Sequence, residues 1–199
     1  TASISINGIV NSNTIGTYTV TYNVTDSAGN AAVQLTRTIN VSDTGTPVIT
    51  LNGNPSMTLQ KGDTYNEPGA TATDAVDNDT TLTNSIAIAG TVNTNTLGTY
   101  TITYNVTDSA GNAAVQVTRT VIVSDTGIPV LTLTGNSTIN LQRNDVYNEQ
   151  GATATDSVDN NTTLTNSIVI AGLVDTSTLG TYTITYNVSD LAGNAAVTL

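Results

Sequence analysis

The sequence predicts an all-β protein built from tandem antiparallel β-sandwiches, and three observations support this prediction. Apolar and polar residues alternate along most segments, which is the period of a half-buried strand, and no helical apolar stripe is visible. Clusters of Gly, Asn and Asp separate these segments at the spacing expected of turns. Long stretches of sequence also return after 82 residues without insertion, which indicates a repeat architecture.

The repeat is clearest in the segment Tyr22–Asn30. It returns as Tyr104–Asn112 and, with two changes, as Tyr186–Asn194. A second segment, Gly69–Asp74, returns as Gly151–Asp156 at the same distance. Since both distances agree, the copies align without gaps.

This period divides the chain into three predicted domains. Residues 1–43 are the C-terminal part of one repeat, 44–125 are a complete repeat, and 126–199 are a repeat that lacks its last strand. The connection Ser42–Pro47 is short and is not a flexible Gly/Ser spacer. We therefore expect successive repeats to be arranged end to end with limited relative motion. We also expect the chain to be a segment of a longer array.

The complete repeat predicts roughly six or seven short strands, as in a sandwich. The early strands are expected near Val48–Leu51, Met57–Gln60, Gly69–Asp74 and Ser85–Ala89. Pro47 precedes the first of them, where a missing N–H costs no ladder hydrogen bond.

The clearest strand is Thr99–Thr107. Alternation places Tyr100, Ile102, Tyr104 and Val106 on one buried face and Thr side chains on the wet face. Asp108–Asn112 then predicts a hairpin turn, because Gly and Asn tolerate positive φ. Ala113–Val123 is expected to return as the partner strand.

Three motifs, in the expected order, resemble the bacterial surface-protein Ig-like repeat. They are the linking segment Asp43–Val48, the segment Gly69–Asn78 and the long motif Gly98–Asn112. Hyalin-type repeats share the pattern but normally carry a Cys pair, so the Cys-free bacterial branch is the better match. The resemblance implies three Ig-like domains in a tandem array on a secreted or cell-surface bacterial protein. It also implies that Gly98-x-Tyr100 forms a tyrosine corner.

The composition excludes several function classes. The 199 residues include no His and no Cys, so neither a Ser-His-Asp triad nor a Cys nucleophile is available. A net charge of −11 with four Lys and Arg argues against nucleic-acid binding. No apolar run is long enough for a membrane helix. Paired carboxylates that recur in every repeat do not indicate a glycosidase, and we predict that the protein is not an enzyme.

Acidic residues concentrate in the predicted loops and strand ends. Oxygen ligands from carboxylates and backbone carbonyls suit a hard cation such as Ca²⁺. The candidate ligands are Glu67, Asp74, Asp77, Asp79, Asp108, Asp125, Glu149, Asp156, Asp159 and Asp190. The linker acids Asp43 and Asp125 are expected to join the loop acids at a domain junction, in a manner that resembles cadherins. The alternative is that Asp and Asn only form turns here.

The sequence predicts a structural segment of a long extracellular surface protein or fibre, with neighbouring repeats of the same chain as its partners. One alternative is an adhesive module whose loops bind a host glycan or protein. A further alternative is a fibre subunit that assembles with other copies by strand addition, with strand Thr36–Val41 donated to the incomplete last repeat.

Overall fold

The structure, a computed structural model, describes residues 3–199. These residues form two compact units, each assembled from separate stretches of the chain. The first unit comprises the described part of Thr1–Gly53 together with Pro68–Ala89 and Thr103–Thr118; the second comprises Asn54–Glu67, Gly90–Ile102 and Arg119–Leu199. These units follow the packing, whereas the three predicted domains follow the sequence repeat and stay a prediction.

Short strands dominate the described residues and confirm the all-β class. In chain order they are β1 (Ser5–Asn7), β2 (Gly16–Asn23), β3 (Leu35–Val41), β4 (Val48–Leu51), β5 (Ser56–Gln60), β6 (Ala70–Thr73), β7 (Ala87–Ala89), β8 (Gly98–Asn105), β9 (Val117–Ser124), β10 (Val130–Leu133), β11 (Ala152–Thr155), β12 (Val169–Ala171) and β13 (Thr185–Asn187). Two short helices, α1 (Asp79–Asn84) and α2 (Asn161–Asn166), accompany them.

The first unit contains antiparallel pairs. Strands β1, β2 and β3 form a three-stranded sheet in that order, with Gly16 opposite Val41 and Tyr22 opposite Leu35. Strand β4 pairs with β6, and β7 pairs with the C-terminal end of β8. The predicted hairpin turn after β8 is confirmed, because the Asp108 N–H donates to the Asn112 carbonyl.

The second unit contains a parallel pair that alternation could not reveal. Strand β5 runs parallel to β9, with Ser56 opposite Thr120 and Gln60 opposite Ser124. Strand β9 also lies beside β8, whose first residues, Gly98–Ile102, belong to the same unit. Strand β10 pairs with β11 and β12 with β13, both antiparallel.

The two short helices were not predicted from the sequence, and the first of them shortens an expected strand. The strand expected at Ser85–Ala89 is shorter, because Ser85 is the C-cap of α1. The side chain of Asn78 caps the other end by accepting from the Thr81 N–H at 3.0 Å. Six residues are too few for a visible helical period, so only this cap could have signalled the helix. No helix among the described residues is long and apolar enough to cross a membrane.

The predicted burial of the clearest strand is confirmed. Ile102 and Tyr104 are buried and Tyr100 is half-buried, whereas Thr99 and Thr101 are exposed. The buried residues of the second unit include a cluster on neighbouring elements: Leu131, Ala154, Leu164, Tyr186 and Val188.

The expected tyrosine corner is present in every copy of the motif. The Tyr100 hydroxyl donates to the Thr96 carbonyl at 2.9 Å. The same bond, four residues back along the chain, joins the tyrosine to a threonine in the other copies: Tyr18 to Thr14 and Tyr182 to Thr178. Each bond fixes the entry of the strand that follows.

Candidate metal sites

Three carboxylates from separate loops of the first unit lie close together. Asp43 follows β3, Asp77 precedes α1, and Asp108 opens the hairpin turn after β8. One carboxylate oxygen from each lies within 4.8 Å of the other two. We call these three residues the first acidic cluster.

Hydrogen bonds satisfy only some of these oxygens. Asp43 Oδ1 accepts from the Gly45 N–H at 2.9 Å, and Asp77 Oδ1 accepts from the Ser109 hydroxyl at 2.6 Å. The other oxygens, Asp43 Oδ2 and Asp77 Oδ2, are buried and have no hydrogen-bond partner. A buried carboxylate oxygen without a partner is costly, so these two atoms suit a cation.

Asp108 is only 8% exposed. Burial raises its pKa, but hydrogen bonds to the charged form outweigh this and hold the pKa below its ordinary value. Asp108 accepts from the side chain of Asn112 at 2.8 Å and from its N–H at 2.7 Å. It therefore enters the cluster as an anion. The same Asn112 amide also donates to the Asp43 carbonyl at 3.5 Å, which ties the turn to the segment after β3.

A second acidic cluster lies in the second unit and comprises Asp125, Asp156 and Asp159, again with oxygens within 4.8 Å of one another. Asp125 Oδ1 accepts from the Gln60 side chain at 3.0 Å and from the Gly127 N–H at 3.1 Å. Asp159 Oδ2 accepts from the Leu191 N–H at 3.2 Å.

The two clusters are related by the repeat. Asp43 and Asp125 are counterparts, as are Asp77 and Asp159. The third member differs, since the first cluster uses Asp108 and the second uses Asp156.

Two further acids, the repeat counterparts of Asp108 and Asp156, lie next to the clusters. Asp190, the counterpart of Asp108, accepts from the Asn194 side chain at 2.7 Å, and the same amide donates to the Asp125 carbonyl at 3.3 Å. Asp74, the counterpart of Asp156, flanks Gly45, because a Cβ there would lie 3.3 Å from both Asp74 Oδ2 and Asp43 Oδ1. Four acidic residues thus lie in or next to each cluster.

The other three predicted ligands, like Asp74 and Asp190, are not members of either cluster. Glu67 forms an ion pair with Arg119, and Glu149 accepts hydrogen bonds from the hydroxyls of Tyr147 and Tyr186. Asp79 accepts from the Asp74 N–H at 3.2 Å, and its counterpart Asn161 makes the same bond to Asp156 at 2.9 Å. Asp and Asn make the same bond at this position, because an amide oxygen accepts from the backbone N–H as a carboxylate oxygen does.

Sequence reasoning missed the amides that hold the carboxylates in place. Gln60, Asn112 and Asn194 each bond to a cluster or junction acid. The repeated spacing Asp-x-x-x-Asn was a usable signal for the last two. Nothing in the local sequence marks Gln60, because its contact with Asp125 spans 65 residues.

The distances between carboxylate oxygens in each cluster fit the coordination geometry of Ca²⁺. Calcium binds oxygen ligands at about 2.3–2.6 Å, so oxygens up to roughly 5 Å apart can share one ion. Its coordination shell is flexible and accepts backbone carbonyls and water beside carboxylates. Each cluster offers three carboxylates on loops held by turns and side-chain amides.

A protein-family model described as "Bacterial surface protein, Ig-like domain" matches residues 1–41, 49–123 and 131–198. These three matches follow the three copies of the repeat. The family is a surface Ig-like domain and is not an enzyme family.

Two relatives match over most of the chain. An uncharacterised 81.3 kDa protein of Acholeplasma phage L2 is 31% identical over 91% of this chain, which spans 25% of that protein. Hyalin of Strongylocentrotus purpuratus is 31% identical over 92% of this chain, which spans 16% of hyalin. Among solved structures, the lipoprotein BT2262 of Bacteroides thetaiotaomicron is 32% identical over 41% of this chain and 39% of its own, with a TM-score of 0.35.

Proposed function

The chain belongs to the bacterial surface protein Ig-like domain family, and from this premise we propose that it is a structural segment of an extracellular surface protein or fibre, stiffened by Ca²⁺ at its repeat junctions. The repeats supply reach, because length grows as copies are added. The bound cations supply stiffness, because they cross-link loops that otherwise repel one another.

One observation carries this proposal. Each acidic cluster joins an acid that the sequence repeat puts at the boundary between two predicted domains, Asp43 or Asp125, to acids from the next predicted domain. A cation held by both partners fixes the connecting segment to the domain after it. A site with this placement restrains the junction, whereas a site within one repeat would only stabilise that repeat.

The buried oxygens support the choice of a cation. Asp43 Oδ2 and Asp77 Oδ2 have neither solvent nor a hydrogen-bond donor within reach. Like charges at this separation repel, and the repulsion is weakly screened where the groups are buried. A divalent cation reverses this penalty, since each carboxylate then gains a ligand bond.

The competing proposal is an adhesive module, and the positions that vary between the copies weigh against it. Thr91 is replaced by Leu173, and Asn93 by Asp175, and all four residues are exposed. These changes alter polarity without adding an aromatic side chain, and stacking on aromatic rings is what a glycan platform needs. A spacer tolerates such residue changes on its surface.

Hydrogen exchange of the backbone amides tests the proposal locally. With Ca²⁺ in place of EDTA, we expect slower exchange at Gly45 and Gly127, whose N–H groups bond to cluster acids. Asp77→Asn should abolish the protection at Gly45 only, and Asp159→Asn at Gly127 only. Asp175→Asn, an exposed acid outside both clusters, is the matched control. Equal exchange in EDTA and Ca²⁺ would refute the cation site.

A further inference from the structure

The second unit pairs two strands that lie far apart in the sequence. Strand β5 comes early in the complete repeat and β9 comes at its end, yet they pair along the whole of β5. The register runs from Ser56 opposite Thr120 to Gln60 opposite Ser124, and the strands are parallel. The start of β5 and the end of β9 therefore lie at opposite ends of the pair.

The direction of these strands decides how tension along the chain loads the pair. The chain enters β5 from Asn54 and leaves β9 toward Asp125. Tension pulls β5 back from its first residue and β9 forward from its last residue, so the strands are drawn past each other along their axes. The evenly spaced hydrogen bonds of a parallel ladder then share the load. Strands that are pulled apart from one end break their bonds one at a time.

Two further backbone hydrogen bonds extend the pair beyond the ends of β5. The Thr120 N–H donates to the Pro55 carbonyl at 2.9 Å, before the strand begins. The Lys61 N–H donates to the Ser124 carbonyl at 3.0 Å, after the strand ends. The bonded length of the pair thus reaches from Pro55 to Lys61.

The side chain of Arg119 fixes the register where β5 begins. Arg119 lies on β9 and is 1% exposed, and its guanidinium donates to the Asn54 carbonyl. Its Nε also lies 3.4 Å from Glu67 Oε1. Sliding of β9 along β5 must draw this shielded guanidinium away from both oxygens. Since a buried donor that loses its acceptor is costly, these contacts oppose the first step of sliding.

The side chain of Gln60 fixes the register where β5 ends. Its amide donates to Asp125 Oδ1 at 3.0 Å, and its Oε1 accepts from the Thr126 hydroxyl at 2.8 Å and from the Thr126 N–H. One side chain at the end of β5 thus binds the first two residues after β9. Tension that reaches β9 through these two residues loads the Gln60 contacts first.

We propose that the β5–β9 pair, fixed by Arg119 and Gln60, is the element that bears tension in the complete repeat. This inference rests on the proposed role as a structural segment and deepens it, because a segment that provides reach transmits pulling forces along its chain. While the pair holds, residues 61–116 between its strands are shielded from the load. Its rupture releases the chain from Ser56 to Ser124, an extension of roughly 200 Å.

Single-molecule pulling in two directions, in EDTA, tests the proposal. The chain contains no Cys, so two introduced Cys residues give unique attachment points. Handles at Asn54→Cys and Ile128→Cys load the strands from opposite ends, whereas handles at Thr64→Cys and Ile128→Cys load them from the same end. All three positions are exposed. We expect the first geometry to rupture at the higher force. An equal or lower force in that geometry would overturn the proposal.

A side-chain variant tests the contribution of Gln60. With handles at opposite ends, Gln60→Ala should rupture roughly tenfold faster at constant force, because its bonds to Asp125 and Thr126 are lost and forced unfolding follows the unfolding rate. Gln116→Ala is the matched control, since the Gln116 amide bonds to the Asn105 side chain at 2.9 Å, outside the pair. Equal rupture rates in the two variants would contradict the role assigned to Gln60.

A backbone variant tests the ladder itself. Lys61→Pro removes the N–H that donates to the Ser124 carbonyl, whereas Lys61→Ala keeps it and is the control. The proline variant should rupture faster than the original chain and the alanine variant at the same rate. Identical rates in both variants would contradict load bearing by this bond. The Gln60 comparison remains informative if the proline variant folds poorly.

These pulling experiments are independent of the cation proposal, because they are made in EDTA. Equal forces in the two pulling directions would refute the tension-bearing pair and leave Ca²⁺ binding untouched. An unfolding midpoint that Ca²⁺ does not change would refute the cation site and leave the difference between the two pulling directions in place.

Discussion

The hydroxyl of Thr83 on α1 bonds to both backbone groups of Ala72 on β6. It accepts from the Ala72 N–H at 3.0 Å and donates to the Ala72 carbonyl at 3.2 Å. Thr165 and Ala154 repeat the arrangement at 3.0 and 3.2 Å. One side chain thus completes the hydrogen bonding of a sheet residue that is only 1% exposed.

Replacing this hydroxyl should destabilise the fold. Thr83→Val keeps the side-chain shape but leaves a buried N–H and carbonyl unsatisfied, which costs about 1–3 kcal/mol of unfolding free energy. Urea denaturation measures the loss. Thr80→Val, on the exposed side of the same helix, is the control and should change little. Equal losses in the two variants would show that the bond to Ala72 contributes nothing specific.

Loss of Arg119 should destabilise the fold more than loss of Arg37, its exposed counterpart in the first copy of the repeat. Arg119→Met leaves the Glu67 carboxylate without its cation, and because Glu67 is 24% exposed the cost should fall short of the about 3–5 kcal/mol typical of a fully buried pair. Arg37→Met removes the same charge from an exposed site and should cost far less. Thermal unfolding at a concentration that keeps the chain monomeric compares the two. A milder effect at Arg119 than at Arg37 would be incompatible with the observed burial.

The lowered pKa of the turn residue Asp108 predicts how the stability of the fold changes at low pH. Burial raises the pKa of Asp108, but hydrogen bonds from Asn112 outweigh it, so the folded-state pKa lies below the ordinary 3.8. A depressed pKa contributes stability at pH above 3.8 that is lost as pH falls through the folded-state value. Asn112→Ala should therefore reduce stability near neutral pH and flatten the loss of stability as the pH falls below 3.8. Unfolding free energies measured across this range check the sign, and an unchanged pH profile in the variant would contradict it.

Two glycines should control access to the acidic clusters. A Cβ at Gly45 would meet carboxylate oxygens of Asp43 and Asp74 at 3.3 Å, and one at Gly127 would meet those of Asp125 and Asp156 at 3.4 Å. Gly45→Ala and Gly127→Ala should each weaken cation binding, because the carboxylates must move apart. Calorimetric titration with Ca²⁺ measures the change. Gly16→Ala is the control, since a Cβ there meets only Tyr18 at 3.9 Å. An unaltered affinity in the two cluster variants would place the ion elsewhere.

Much of the fold could be predicted from local sequence. Strand β4 lies at the predicted Val48–Leu51, and the alternation along β8 gives the correct buried face. Local patterns succeed here because one face of each strand is buried and the pleat has a period of two. The parallel β5–β9 pair was not predictable, because alternation of apolar and polar residues does not show in which direction the partner strand runs.

The candidate site could be predicted only in part. Repetition of the acids pointed to the loops that contain them, and the structure brings Asp43, Asp77 and Asp108 together. It places Glu67 and Glu149 with arginine and tyrosine partners instead, because their neighbours come from distant parts of the chain. Charge density along a sequence identifies acidic loops, but only packing decides which of them converge.

Calorimetric unfolding in EDTA and then in millimolar Ca²⁺ tests the central claim most directly. A cation that binds only the folded chain raises stability by about 2.7 kcal/mol at one hundred times its dissociation constant. We predict a rise of several degrees in the unfolding midpoint that Asp43→Asn and Asp77→Asn reduce and that Asp175→Asn leaves intact. An identical midpoint in EDTA and Ca²⁺ would contradict the claim and leave the clustered acids with a role in turn formation alone.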